Sequence, residues 1–346
     1  VAARMQGKGA RRVSQADVAG RAGVSGQTVS RVANGMDNVE PATRERVLDA
    51  MRELGYRPNK AARALRSGHF GTIGVTAFNL RTHGNVRTLS AIVDAAGEQG
   101  YSVTLVPVAR PTRSAILHAF DELLDQAVDG VIPMIEIPLS DSTDLTIPPG
   151  LPVVVVSSGA ATGAFPFVDN DQKGGSRALM DHLIGLGHRE IRFLGGPVDS
   201  YPGRQREEVW RESLAGAGLE MPPVMRGDWT PEDGYIAGRE VSRESGVTAV
   251  VVANDQMALG VLRALHEAGL RVPEDVSVVG FDDIGEAASF WPPLTTVHQN
   301  FEDVGRRAVA MLLDEIRGKG TGDAAGPVVI PTSLVVRGST GPARPS

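Results

Sequence analysis

The sequence predicts an α/β protein in which an all-α helix-turn-helix headpiece precedes a two-lobed core of doubly wound parallel sheets. Three observations carry that reading. From Val13 to Arg57 the chain offers short helical pieces and no β-branched strand run. From Gly71 onward, apolar strand-like runs alternate with amphipathic helices, the pattern of parallel sheets covered on both faces. The length of 346 residues suits two or three domains, each with its own core.

The elements follow in order. SQADVAGRAG sets Ala16, Ala19 and Ala22, with Val18, at helical spacing, and Ser14 followed three residues later by Asp17 resembles a capping box. Gly23, Val24 and Ser25 supply a turn, Gly23 being able to take positive φ and Ser25 being a good N-cap. The second helix, GQTVSRVANG, buries Val29, Val32 and Ala33 and leaves Gln27, Thr28, Ser30 and Arg31 free to point outward. A third runs from Pro41, suited to a first helical position, to Leu54, and Gly55 ends it. KAARALRSG is rich in helix formers but two turns long, too short to persist alone in water, so it reads as a conditional helix. The predicted core strands are TIGVTAF, SVTLVPV, GVIPMIEIP, LPVVVVSS, EIRFLGG, AVVVAND and VSVVGFDD, separated by helices such as RTLSAIVDAAGEQG, SRALMDHLIGLG and MALGVLRALHEAGL. Ligands of doubly wound sheets bind beyond the carboxyl ends of the strands. Asn254 with Asp255 and Asp282 with Asp283, which terminate such runs, are therefore the first candidates for a site.

Composition narrows the function. The formal charge of -6 is unevenly spread: residues 1–68 hold 13 Lys and Arg against 6 Asp and Glu, and the remainder 22 against 35. The amino-terminal end suits a polyanion; short basic runs such as Arg11-Arg12 are also common on solvated faces. The chain has no Cys, which excludes disulfides, a thiolate nucleophile and Cys-based zinc sites. No GxxxxGK[ST], HExxH or GxSxG is present, Asp282-Asp283 lack an acid-base partner arrangement, and no ligand spacing argues for a metal. The expectation is a protein that is not an enzyme and needs no cofactor. No run of eighteen apolar residues occurs, and the basic VAARMQGKGARR lacks the apolar stretch of a secretion signal, which predicts a cytoplasmic protein without membrane contact.

DVAGRAGVSGQTVSRVANG, followed by TRERVLDAMRELGYRPN and AARAL, and then by VVANDQMALG, VSVVGFDD and PPLTT, closely resembles the lac repressor family over nearly the whole chain after the first dozen residues. One helix-turn-helix pattern alone says little; these segments in this order and spacing are specific. The resemblance implies a basic tail at 1–12, a DNA-binding domain at 13–58, a hinge helix at 59–68, and an effector-binding and dimerisation core at 69–340 of periplasmic-binding-protein-like fold. Within that core it implies an N-subdomain of about 69–168 and 299–328 and a C-subdomain of about 169–298 and 329–340. The implied partners are operator DNA, a small sugar effector and a second copy of the chain.

In the major groove Gln pairs bidentately with adenine and Arg with guanine. Gln27 and Arg31 lie four apart on one helix face and match family positions that read bases. Thr28 and Ser30 suit phosphate positioning, or are simply solvent-facing hydroxyls. The resemblance adds Asn34, Asn59 and Ala62 to the DNA contacts and makes Leu65 a wedge into the minor groove, an insertion whose unstacking cost is offset by contacts to bent DNA. Gly26 stands where a larger specificity residue is frequent. Glu40 replaces the usual hydroxyl or amide before Pro41, which weakens the expected cap.

A sugar site needs Asp, Asn or Arg for paired hydrogen bonds and an aromatic plate for stacking. Asp282, Asn254 and Arg206 fall on family positions of this kind, Trp229 matches an aromatic wall, and Gln299 and Phe301 fall near the strands that cross between lobes. Phe78, at the end of the first core strand, offers another wall. Each has a plainer role: Asp282 and Asn254 as capping groups, Arg206 as one more charge in the run RQREE, Trp229 and Phe78 as core. Ser157 replaces an acidic pocket residue, and His83 aligns with a dimer-interface position. A galactoside, glucoside or similar saccharide is the expected effector; a purine, a nucleoside or a protein co-regulator is the alternative. An exported sugar-binding protein would share the core but not the headpiece. The chain ends soon after VVRGST without a leucine heptad, which predicts a dimer.

Overall fold

A computed structural model describes residues 13–33, 35–36, 38–56, 68–108, 112–134, 150–156, 165–319 and 327–344. They form two compact units, divided after Phe70.

The first unit holds three helices, α1 (Gln15–Ala22), α2 (Gly26–Ala33) and α3 (Pro41–Leu54). The Ser14–Asp17 capping box forms in both directions, with Asp17 Oδ2 accepting from the Ser14 amide at 2.8 Å. Gly23, at φ 64°, turns the chain, and Ser25 Oγ accepts from the Thr28 amide to start α2. Gly55, at φ 63°, ends α3, while Glu40 makes no side-chain cap, as the loss of a short hydroxyl there predicts. Val18, Val29, Val32, Val47 and Met51 are buried together in a small core of their own, whereas Ala16 is exposed.

The second unit contains two parallel sheets. The first has the order β11-β5-β4-β3-β1-β2, from β1 (Thr72–Phe78), β2 (Ser102–Val108), β3 (Gly130–Met134), β4 (Val155–Val156), β5 (Phe167–Asn170) and β11 (Val328–Ile330). Side chains alternate between faces with period two. Ile132, Met134, Val154 and Val156 accordingly pack with α4 (His83–Glu98) and α10 (Phe301–Ile316). Val131, Val153 and Val155 pack on the opposite face with α5 (Arg113–Asp125).

The second sheet has the order β7-β6-β8-β9, from β6 (Ile191–Gly195), β7 (Met225–Arg226), β8 (Ala249–Val252) and β9 (Ser277–Val279). Its helices are α6 (Gln172–Gly185), α7 (Tyr201–Gly216), α8 (Pro231–Val241) and α9 (Asp255–Glu267), and its largest buried side chain, Trp210, stacks on Phe193.

An antiparallel pair, β10 (Thr296–His298) with β12 (Ser333–Val335), lies where the chain passes between the sheets. It leaves the first sheet at Asp171, returns before Phe301 and leaves again after Ile330. These passes are tied to one another: the Asp171 amide donates to Ile330 O at 2.8 Å, and Thr332 Oγ1 donates to Asp171 O at 2.8 Å. Five strands absent from the sequence-based expectation, β5, β7, β10, β11 and β12, are two to four residues long, and β5 with β11 and β10 with β12 pair across long stretches of chain.

Candidate functional site

A cavity opens between the two sheets, beyond the carboxyl ends of their strands. The first lobe contributes Thr82, Asn85, Thr88, Met134, Val156, Asp169 and Asn170; the second contributes Ser200, Arg206, Trp229, Asn254 and Asp282; Gln172, Gln299 and Phe301 stand at the crossings.

Arg206 comes from α7 and is buried at 7 % exposure, so its place in the run RQREE does not put it in solvent. Its Nε and Nη2 both donate to Gln172 Oε1, at 3.0 and 2.9 Å, and its Nη1 donates to Ala253 O. The guanidinium lies 3.8 Å from the centre of the Phe281 ring, close enough for a cation-π attraction. Gln172 Nε2 donates to Gln299 Oε1 at 2.7 Å, Gln299 Nε2 donates to Asp282 Oδ1 at 2.7 Å, and Asp282 Oδ1 lies 3.7 Å from Arg206 Nη2. These four side chains close a ring in which a buried charge meets an opposite charge and amide dipoles, the condition for keeping ions out of water. Burial pushes the Asp282 carboxyl above its ordinary range, against the pull of Arg206 and Gln299. Asp282 and Asp283 both adopt positive φ, 115° and 54°, a rare conformation for residues with a Cβ. The turn aims the first into the cavity, while the second binds Arg337 at 2.7 Å and His298 at 3.0 Å.

Asn254 fills two roles at once. Its Oδ1 accepts from the Met257 amide, capping α9, and its Nδ2 donates to Trp229 O at 3.2 Å. That second bond steadies Trp229, which has φ 66° and whose indole covers Gly196 so closely that a Cβ there would overlap the ring. Phe301, at the start of α10, meets the His83 ring edge-on at 5.9 Å and covers Gly84.

Of the predicted pocket residues, Arg206, Trp229, Asn254, Asp282, Gln299 and Phe301 line this cavity together. Phe78 is absent from its lining: at the end of β1 its carbonyl accepts from Asn85 Nδ2, and it is Asn85 that faces the cavity. Asp255 lies behind the wall, fully buried, accepting from Thr296 Oγ1 at 2.6 Å and the Ile284 amide at 2.9 Å. Burial and the neighbouring Asp282 push its carboxyl up to about 8. Sequence reasoning missed Asn170 and Gln172, although the polar end of FVDNDQ was a signal for them under the strand-end rule.

On α2, Gln27 is exposed while Thr28, Ser30 and Arg31 are half-buried; the Thr28 hydroxyl lies 3.0 Å from Ser25 Oγ. Asn34, Asn59, Ala62, Leu65, Ser157, the tail at 1–12 and the hinge up to residue 67 lie outside the described residues.

Residues 15–59 match the model of bacterial regulatory proteins of the lacI family, and residues 180–340 that of the periplasmic binding protein-like domain. The chain is 38 % identical over 330 residues to the lactose operon repressor of Escherichia coli, covering 94 % of this chain and 89 % of that protein. It is 39 % identical to the HTH-type transcriptional regulator CelR of Thermobifida fusca, covering 93 % and 96 %, and 36 % identical to a PurR repressor of Haemophilus influenzae, covering 88 % and 92 %. Among solved structures, the lac repressor dimer bound to operator and the anti-inducer ONPF superposes with a TM-score of 0.85 at 35 % identity, over 96 % of this chain and 100 % of that one. A complex of CelR with cellobiose gives 0.70 at 34 % identity, over 95 % and 100 %.

Proposed function

This chain belongs to the lacI family of bacterial regulatory proteins and is a DNA-binding transcriptional regulator, and we propose that it is a homodimeric repressor whose affinity for its operator changes when a small saccharide enters the cavity. The observation that carries the effector reading is the buried ring of Arg206, Gln172, Gln299 and Asp282 beside the Trp229 face. Sugar hydroxyls both donate and accept, so they suit a wall of mixed amide, carboxylate and guanidinium groups; the apolar face of a pyranose suits indole. Support comes also from two relatives, one named for a lactose operon and one solved with cellobiose.

Gln27 and Arg31 on α2 are the proposed base readers, with Thr28, Ser30 and Asn34 as supporting contacts. Asn59, Ala62 and Leu65 belong to the proposed hinge, which transmits the signal: two such segments packed together on DNA hold as helices, and one alone does not. An effector shifts operator affinity only by its preference for one arrangement of the lobes, and a coupling of about 1–3 kcal/mol corresponds to about 5–150-fold. The ring sits at the crossings through Gln172 and Gln299, so a ligand touching it acts on the pivot between the lobes.

The test is operator binding by the full chain on DNA from its own promoter region, with galactose, glucose, lactose, cellobiose, hypoxanthine and guanine in separate arms. A change of fivefold or more with a saccharide alone is expected. A response confined to the purines overturns the saccharide reading. Binding no tighter to promoter DNA than to random duplex, with and without these compounds, overturns the operator reading.

A further inference from the structure

Most polar groups on the second lobe's side of the cavity are spent on one another. Arg206, Gln172, Gln299 and Asp282 close their ring, and both ends of the Asn254 amide are engaged. On the first lobe the Asn85 amide donates to the carbonyls of Phe78 and Asn79 at 2.8 and 3.1 Å. Asn170 differs. It ends β5, paired in register with Ile330 of β11, it lines the cavity, and only 6 % of it is exposed. Its Oδ1 is buried and accepts no hydrogen bond from the described residues. A buried amide oxygen without a donor costs free energy. Leu or Val would fill such a position more cheaply if packing alone were required.

We infer that Asn170 is a specificity-determining residue of the effector site: its side-chain amide turns about χ2 toward the cavity it lines, and its oxygen accepts a hydrogen bond from a ligand hydroxyl, at the edge of the ligand that faces the first lobe while the opposite edge meets Arg206 and Asp282. The inference rests on the saccharide reading above and deepens it. The ligand is a saccharide with donors on both edges, and a compound polar on one edge only satisfies one wall. Because Asn170 belongs to the first lobe's sheet and Arg206 to a helix of the second lobe, a ligand held by both joins the lobes.

The experiment compares the full chain with Asn170→Leu, which keeps the volume and removes the acceptor, and with Asn170→Asp, which keeps an acceptor. Thermal unfolding is followed alone and with galactose, glucose, lactose or cellobiose. Without saccharide, Asn170→Leu is expected to unfold at the same temperature as the parent or higher, since it loses no internal partner. With the saccharide that stabilises the parent, Asn170→Leu is expected to bind about three- to tenfold more weakly, the effect of one neutral hydrogen bond, and Asn170→Asp is expected to recover binding. A fall of several degrees for ligand-free Asn170→Leu shows that the amide holds the fold and overturns the inference. Equal stabilisation of parent and Asn170→Leu by a saccharide overturns this inference and leaves the saccharide reading standing. Stabilisation of neither protein by any of the four overturns both.

Discussion

The outer face of α2 and the wall of the cavity carry the same residue types, Gln and Arg, in opposite surroundings. Gln27 is exposed and Arg31 half-buried on a helix held by its own small core, whereas Gln172, Gln299 and Arg206 are buried and bound to one another. The difference separates two ways of storing specificity. A face proposed to read DNA leaves its side chains largely unbonded to the rest of the fold until a partner arrives, so it contributes little to folding. A cavity wall must satisfy its polar groups during folding, so recognition and stability are written in the same residues.

The sharpest way to break that contrast is Arg206→Ala, which leaves Asp282 buried without its cation. A loss of about 3–5 kcal/mol of stability in denaturant unfolding is expected, together with loss of the saccharide response. An unfolding midpoint matching the parent's would mean that the ring is ornament. Gly196→Ala comes next: a Cβ there meets the Trp229 indole, and overpacking of this kind costs about 1–3 kcal/mol. Tryptophan fluorescence should show the indole displaced.

Asp255 gives a pH-dependent effect. Its folded carboxyl, pushed up to about 8 from 3.8, holds its proton more tightly than the unfolded chain does. The contribution is therefore complete below about pH 4 and declines as pH rises towards 8. Chemical denaturation between pH 5 and 9 should show stability falling with pH in the parent and a flatter profile in Asp255→Asn. The smallest effect on folding belongs to Arg31→Ala: stability within about 0.5 kcal/mol of the parent, yet operator affinity lower by about 1–3 kcal/mol with relaxed preference at one base pair. Unchanged operator preference would remove Arg31 from the reading face.

Local signals made the first unit and the long strands legible. Ser14 and Asp17, Gly23, Pro41 and Gly55 each mark a boundary by a chemistry confined to a few neighbours, and the structure starts or stops helices there. β1 coincides with its apolar run because a strand buried on both faces needs an unbroken one, and β2, half-buried at the sheet edge, coincides with its run too. The short strands β5, β7, β10, β11 and β12 were not legible, since two to four residues hold no periodicity, and β11, β10 and β12 are paired with distant partners. The cavity divides the same way. Asn254 and Asp282 stand out as polar ends of apolar runs. Gln172 acquires its place from contacts 34 and 127 residues away in sequence, and Asn170 from a partner it lacks. Phe78 shows the converse error: an aromatic at a strand end suggested a wall, but Asn85 on the following helix takes the position and uses the Phe78 carbonyl as its anchor.

The chain passes between its two sheets bonded side by side, with Asp171 linked both to Ile330 and to Thr332. Crossings tied to one another in this way favour a hinge over a sliding movement between the halves they join. On the function proposed above, a small molecule in the cavity would act on the hinge that these crossings form.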